Sequence, residues 1–293
     1  MVYILTILHY FLAAVVDGLD KFLISKRKIF PASYTFWTIV TGVVVLVAWP
    51  FVYQGLKAES IGLDLASGAL FSLVLYVFFK AIAQGEVSRV VPFVFGLAPV
   101  FDIIIGLVTA RNQLDLKELA AMFLLLPGAI LISYNKGFWG KHVATKILSA
   151  FLWSAYFALW QYAAQNGNTL NHFMWNRVGA VGVLILALAV PVFRKNALKH
   201  QHIENKKNTA GLFLFKQAIG GTNLIFFSWL LVVGKIPVIN ALQGLRYAFL
   251  FLGALFLSKK MKHILHEDTG QGIIWQKLGA LALIFLGTLF LFL

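Results

Sequence analysis

Ionisable and amide side chains interrupt the apolar stretches of this 293-residue chain at helical spacing. In the first stretch Asp17 and Lys21 are four residues apart and can pair on one helix face, with Tyr10 seven residues before Asp17 and Asp20 beside Lys21. Asp17 could exchange protons with a wet cavity there; the same residues would also suit an interfacial ion pair with Lys21 snorkelling. Ser72, Tyr76, Lys80 and Gln84 recur every four residues as one polar stripe, which should face a polar interior rather than lipid. Lys80 is then placed to contact an anionic or carboxylate-bearing ligand, or else to snorkel to the interface. Trp153, Tyr156 and Trp160 form an aromatic stripe, suited to packing or to holding a flat or cationic molecule. Asn240, Gln243 and Tyr247 share a face with Arg246 adjacent, and Lys216, Gln217 and Asn223 are expected to face the same space. Asp102, after Pro92 and Pro99, is the second proton-exchange candidate beside Asp17; the prolines free backbone carbonyls and could hinge this segment. Arg177 reads as structural, paired with a carboxylate or a helix C-terminus.

Other chemistries find no support. There is no cysteine, which excludes disulfides, thiol catalysis and thiolate metal sites. His263, His266, Glu267 and Asp268 cluster in one polar connection and His200 and His202 in another, but they read as solvated loop rather than as a convergent metal set. No Gly-rich phosphate loop, HExxH helix or nucleophile elbow occurs. The expectation is a protein that is not an enzyme and needs no cofactor or metal.

The elements that position these residues are set by hydropathy. The chain is 60% hydrophobic and 12% charged, with mean hydropathy +0.83; soluble domains carry about 25% charged residues. Lipid must therefore replace water around much of it. Apolar runs at about 3–24, 33–53, 63–83, 88–109, 117–134, 144–164, 171–193, 210–233, 236–257 and 273–293 predict ten spanning helices in an all-α integral membrane protein. The first run lacks a basic leader and cleavage site and reads as a span. The net charge of +14 lies in short connections and reads as loops facing anionic lipid, not as a nucleic-acid surface. One set of alternate connections holds fifteen Lys and Arg and the other four. The positive-inside rule puts the first set in the cytoplasm and both termini outside.

The halves resemble each other. FWTIVTGVVVLV around Trp37 matches MWNRVGAVGVLIL around Trp175, and 85–109 matches 234–258. Five spans is an odd number, so residues 1–136 and 137–293 are expected to form two inverted five-helix repeats, an arrangement associated with transporters. The span number, the repeat and several strings resemble the drug/metabolite transporter superfamily in its EamA-like branch. The strings are Lys21 ending the first helix, Tyr76 followed by AIAQGEVSRVVPFVFGLAPVF, the Gly-then-apolar endings of 119–133 and 278–293, and Arg177 early in the second helix of a half. Asn112 and Lys259 stand where that family usually has glutamate, and Thr38 or Ile39 replaces the first-half arginine. The family also usually keeps both termini in the cytoplasm.

The resemblance implies a multi-pass transporter of the cell membrane. It would move a small organic metabolite, an amino acid or a drug-like molecule, by alternating access, with export favoured by analogy. The expected substrate contacts are Tyr76, Lys80, Trp160, Asn240, Gln243 and Arg246. The expected partners are the small-molecule substrate and the bilayer, with no nucleic acid, and a homodimer is one assembly the sequence allows. A membrane-embedded enzyme acting on a lipid-linked substrate and a non-transporting scaffold subunit remain as alternatives.

Overall fold

A computed structural model describes residues 2–52, 58–108, 116–134, 142–165, 169–198, 205–233, 244–260 and 271–290. They form helices α1 (Val2–Lys21), α2 (Pro31–Gly42), α3 (Ala58–Gln84), α4 (Val87–Val108), α5 (Leu116–Ser133), α6 (Val143–Gln165), α7 (Thr169–Ala189), α8 (Lys206–Val233), α9 (Gly244–Lys260) and α10 (Gln271–Phe290), with no strand among the described residues. A wide π turn, Phe22–Lys26, prolongs α1; a tighter 3-10 segment, Val43–Ala48, and the turn Trp49–Val52 prolong α2. Each expected apolar run thus falls on a helix, though residues 236–243 of the ninth lie outside the described ones.

The helix boundaries follow local chemistry. Pro31 opens α2 at the position where its missing N–H costs nothing, after an extended Phe30. Val190 is extended because Pro191 follows it, so α7 stops there and a short helix, Pro191–Ala197, begins. Pro92 and Pro99 lie within α4 and Pro127 within α5, and both helices run on past them.

Among the described residues five helical stretches are long and apolar enough to cross a membrane: Ile61–Gln84, Val87–Val108, Val143–Trp160, Asn171–Ala189 and Gly272–Phe290. Shorter apolar stretches lie at Pro31–Val47, Leu119–Ile132 and Gly244–Gly253. The distribution of side chains is that of a protein solvated by lipid. Phe51, Phe123 and Val47 are each at least 75% exposed, whereas Asp17, Lys216 and Lys277 are at most 4% exposed. In water this pattern would leave apolar surface wet and charge dry.

Packing joins the two ends of the chain. α5 lies along α10, and α3 along α7; α6 packs on α3 and α4, while α1 packs on α8 and α9. The α3–α7 crossing is very close. A Cβ on Gly68 would come within 1.9 Å of the Asn176 carbonyl oxygen, and one on Gly179 within 2.2 Å of that of Leu65. Ser72 donates a hydrogen bond to the Ala180 carbonyl across the same contact, 3.1 Å. Small residues allow this approach, and dispersion and hydrogen bonds, not hydrophobic burial, hold helices together in lipid. Backbone cannot yield as a side chain can. Gly68→Ala and Gly179→Ala should therefore each cost about 1–3 kcal/mol. Gly62→Ala and Gly182→Ala, with open space around them, should be neutral or slightly stabilising because alanine favours helix. Thermal unfolding of the purified variants in detergent reads the difference.

Candidate functional site

Charges in the interior of a helical membrane protein must be matched, since an unpaired one costs roughly 2.5–3.5 kcal/mol at a helix centre on insertion scales. The matching here defines four polar centres. At the first, Arg246 of α9 forks onto Asp17 of α1, Nε to Oδ2 at 2.8 Å and Nη2 to Oδ1 at 2.9 Å. Its guanidinium lies 4.3 Å from the centroid of the Phe95 ring of α4. A fork on a carboxylate plus a ring beneath is the arrangement arginine's planar head suits best. Close by on α1, His9 hydrogen-bonds Asn223 of α8 through Nδ1 at 2.9 Å and stacks on Phe227.

The second centre joins α1, α2 and α8. Lys216 lies 2.7 Å from Asp20 Oδ1, and the Tyr34 hydroxyl donates to the same oxygen at 2.5 Å. Lys216 also stands over the Tyr34 and Phe79 rings. Gln217 donates to Thr41 Oγ1 and to the Thr38 carbonyl, tying α8 to α2. The third centre joins α3 and α7. Asp64 meets His172 Nδ1 at 2.5 Å, and Asn176 donates to Ser67 Oγ at 2.8 Å. The Trp160 ring of α6 lies edge-on to His172, 4.2 Å between centroids.

The fourth centre clasps the turn between α3 and α4. Glu86 accepts from Arg89 at 2.9 Å and from Lys277 of α10 at 2.7 Å; Lys277 also reaches Ser88. Arg89 and Gln276 donate to carbonyls at the end of α5, and Lys21 donates to the Ile82 and Gly85 carbonyls at the end of α3. The last carbonyls of a helix lack a full set of helical partners, so side-chain donors there complete the helix ends.

Asp17 does not pair with Lys21 as their spacing allowed. A bidentate arginine outcompetes a lysine at i+4, and Lys21 instead caps α3. Asp17 and Arg246, expected as proton exchanger and substrate contact, are brought together. Asp102 accepts a hydrogen bond from Ser154 of α6, apart from that pair. Of the polar stripe, Ser72 is buried on α7 but Lys80 is exposed, so the stripe does not face the Asp17–Arg246 centre. Tyr76 lies against Phe193 of the short helix. Trp153, Tyr156 and Trp160 form a continuous ring stack, joined to Phe78, Phe95 and His172. Arg177 meets no carboxylate among the described residues; it lies over Phe71 and Phe173. Asn240 and Gln243 lie outside the described residues. Asp64, His172, Glu86 and Lys277 escaped the sequence reading. The one signal for His172 was its place three residues before Trp175, where Tyr34 stands before Trp37.

Glu86 gives a pH-dependent test of the fourth centre. Burial alone would push its carboxyl up, but Lys277 and Arg89 outweigh that and hold it below the usual 4.5. A depressed carboxylate stabilises the fold above its unfolded value and loses that stability as pH falls through the lower, folded one. Thermal stability should therefore drop as pH is taken below about 4.5, and the drop should be smaller in Glu86→Gln. Lys277→Ala, which leaves Glu86 with one partner fewer, should cost about 3 kcal/mol at neutral pH.

Comparison with known proteins agrees with this architecture. None of the curated proteins matches the chain. A solved crystal structure, described only as that of a protein, superposes with a TM-score of 0.57 at 15% identity, covering 99% of this chain and 94% of its own; this likeness bears on the fold alone. Residues 1–134, a little under half of the chain, match the model of the EamA-like transporter family, part of the drug/metabolite transporter superfamily, and the membrane-spanning helices mark a multi-pass membrane protein.

Proposed function

We propose that the protein is a secondary carrier for a small organic molecule bearing an anionic group. It would be built from two inverted five-helix halves, residues 1–136 and 137–293, spanning the cell membrane ten times with both termini outside. The observation that carries this reading is the Asp17–Arg246 fork, an ion pair joining a helix of one half to a helix of the other deep in the apolar interior.

The packing supports the inverted pairing. α6 on α3 and α4 has its counterpart in α1 on α8 and α9, and α5 meets its own equivalent, α10. At that last contact a Cβ on Gly128 would meet Ile284, and one on Gly287 would meet Leu125, each at 2.8 Å. One offset of 159 residues relates Leu125 to Ile284 and Gly128 to Gly287. A pseudo-two-fold through this contact accounts for both approaches, and rocking of the halves about it would expose the interior to either side in turn.

Arg246 cannot be left bare, because removing one partner of a buried pair costs about 3–5 kcal/mol. An incoming carboxylate or phosphate solves this by taking the place of Asp17 on the fork, while Asp17 accepts a proton. The proton and the anion then bind together, and the cation stays matched throughout the cycle. Asn240 and Gln243, preceding Arg246 in the chain, are the proposed polar contacts for the rest of the molecule. Tyr76, Lys80 and Trp160 take no part at this centre. Export is the direction that family analogy favours.

Thermal unfolding of the detergent-purified protein with acetate, benzoate or inorganic phosphate, against benzylamine and glucose, tests the anion requirement. A bound anion should stabilise the fold by about 2.7 kcal/mol at a hundredfold excess over Kd. The shift should vanish in Arg246→Gln and grow in Asp17→Asn, where the competing carboxylate is gone. Stabilisation by the amine or the sugar alone, or an anion shift that survives in Arg246→Gln, would rule the reading out.

A further inference from the structure

The Asp64–His172 pair has no role in the anion centre, and its chemistry is distinctive. His172 is 1% exposed, and its Nδ1–H donates to Asp64. Its second ring nitrogen, Nε2, is buried without a hydrogen-bond partner among the described residues. A buried polar atom left unpaired costs roughly 1–3 kcal/mol, so it is retained only where something compensates or where it is used. Nε2 of an imidazole donating through Nδ1 carries a lone pair and can take up a proton, and the Trp160 ring lies at a steep angle to the imidazole, 4.2 Å between ring centroids.

We propose that Asp64 and His172 form a proton-binding site whose charge state holds or releases the seam between α3 and α7. This rests on the carrier reading above for its purpose, though not for its chemistry. Hydronium gives a proton to Nε2, so that an O–H bond breaks, an N–H bond forms and water is released, and the imidazolium remains hydrogen-bonded to the Asp64 carboxylate through Nδ1. The neutral donor contact becomes an ion pair between α3 and α7, and the cation lies within the roughly 6 Å range of an indole ring. The protonated site therefore clamps the seam; the neutral site leaves it held by Ser67–Asn176, Ser72–Ala180 and the glycine contacts.

The other charged and titratable groups around it do not substitute for this role. α3 contributes Asp64 itself. α6 contributes Tyr156, packed on Trp160 and Phe71. α7 contributes Arg177, five residues beyond His172 and lying over Phe71 and Phe173. α2, which meets α7 at Trp49 and Trp175, has no charged residue between Pro31 and Val52.

The position within the repeat gives the site its meaning. Tyr34 and His172 each stand three residues before the matching tryptophans, Trp37 and Trp175. Tyr34 contacts Asp20 of α1, and His172 contacts Trp160 of α6; α1 and α6 open the two halves. Asp20–Tyr34–Lys216 therefore ties α1, α2 and α8, as Trp160–His172–Asp64 ties α6, α7 and α3. In an inverted pair these knots lie towards opposite faces of the membrane. One is an ion pair of lysine and aspartate; the other joins aspartate to a histidine, a side chain that can carry a proton or release it.

Two measurements on the full chain test this. The Trp160 contribution to fluorescence, taken as wild type minus Trp160→Phe, should change with pH, and the change should be absent in His172→Gln. The chain has no cysteine, so Ser67→Cys provides a unique thiol within the seam. Its labelling by a charged methanethiosulfonate should be slower at pH 5.5 than at 7.5 by about fivefold or more, relative to Ser67→Cys combined with His172→Gln. A missing titration, the same pH dependence without His172, or a thiol that labels only after denaturation would overturn the proposal. The anion-dependent melting of the Arg246 centre would be unaffected by any of these, so the carrier reading stands or falls separately.

Discussion

A charge taken out of water has to be matched, and in this protein the matching also fixes which helices meet. Asp17, Asp20, Asp64, Asp102 and Glu86 each find a partner on another helix or at a helix turn. Because lipid tails are as apolar as leucine, burying hydrophobic surface gives little preference among helix pairings. The polar pairs supply that preference: α1 is tied to α9 by Asp17, to α2 and α8 by Asp20, and to the end of α3 by Lys21. One helix thereby reaches both halves of the chain.

The centres differ in what they can do. The clasp at Glu86 collects Arg89, Lys277, Ser88 and the carbonyl ends of α3 and α5, and every element in it is a helix terminus or turn. That is a fastening. The Asp17–Arg246 fork is spare by comparison, with a single carboxylate among the described residues on a group that has five donors and an aromatic face beneath it. The same contrast separates Lys216, which meets Asp20, Gln217 and two rings, from His172, whose Nε2 is unmatched among the described residues.

Hydropathy made the helices legible because their length is set by the bilayer and their composition by lipid contact. The tight α5–α10 contact was foreshadowed by the similar endings of 119–133 and 278–293. What a single sequence could not give was partnership across 100 to 200 residues. Asp17 and Lys21 have the right spacing to pair locally, yet Arg246, 229 residues away, wins. Lys80 sat on a credible stripe, but a four-residue repeat says which residues share a face and not which way the face turns. Asp64 and His172 look like isolated polar residues in apolar runs, and only the closeness of α3 and α7 at Gly68 and Gly179 makes them a pair.

The proposed transport cycle requires two inverted halves with the matched charges between them. The absence of native cysteine makes this directly measurable. Lys28→Cys follows the first helix, and Asn168→Cys follows the sixth. In sealed, oriented membrane vesicles a membrane-impermeant maleimide should reach Asn168→Cys from the outside only and Lys28→Cys from the cytoplasmic side only. Labelling of both positions from the same side would mean that the halves are not inverted, and would contradict the account.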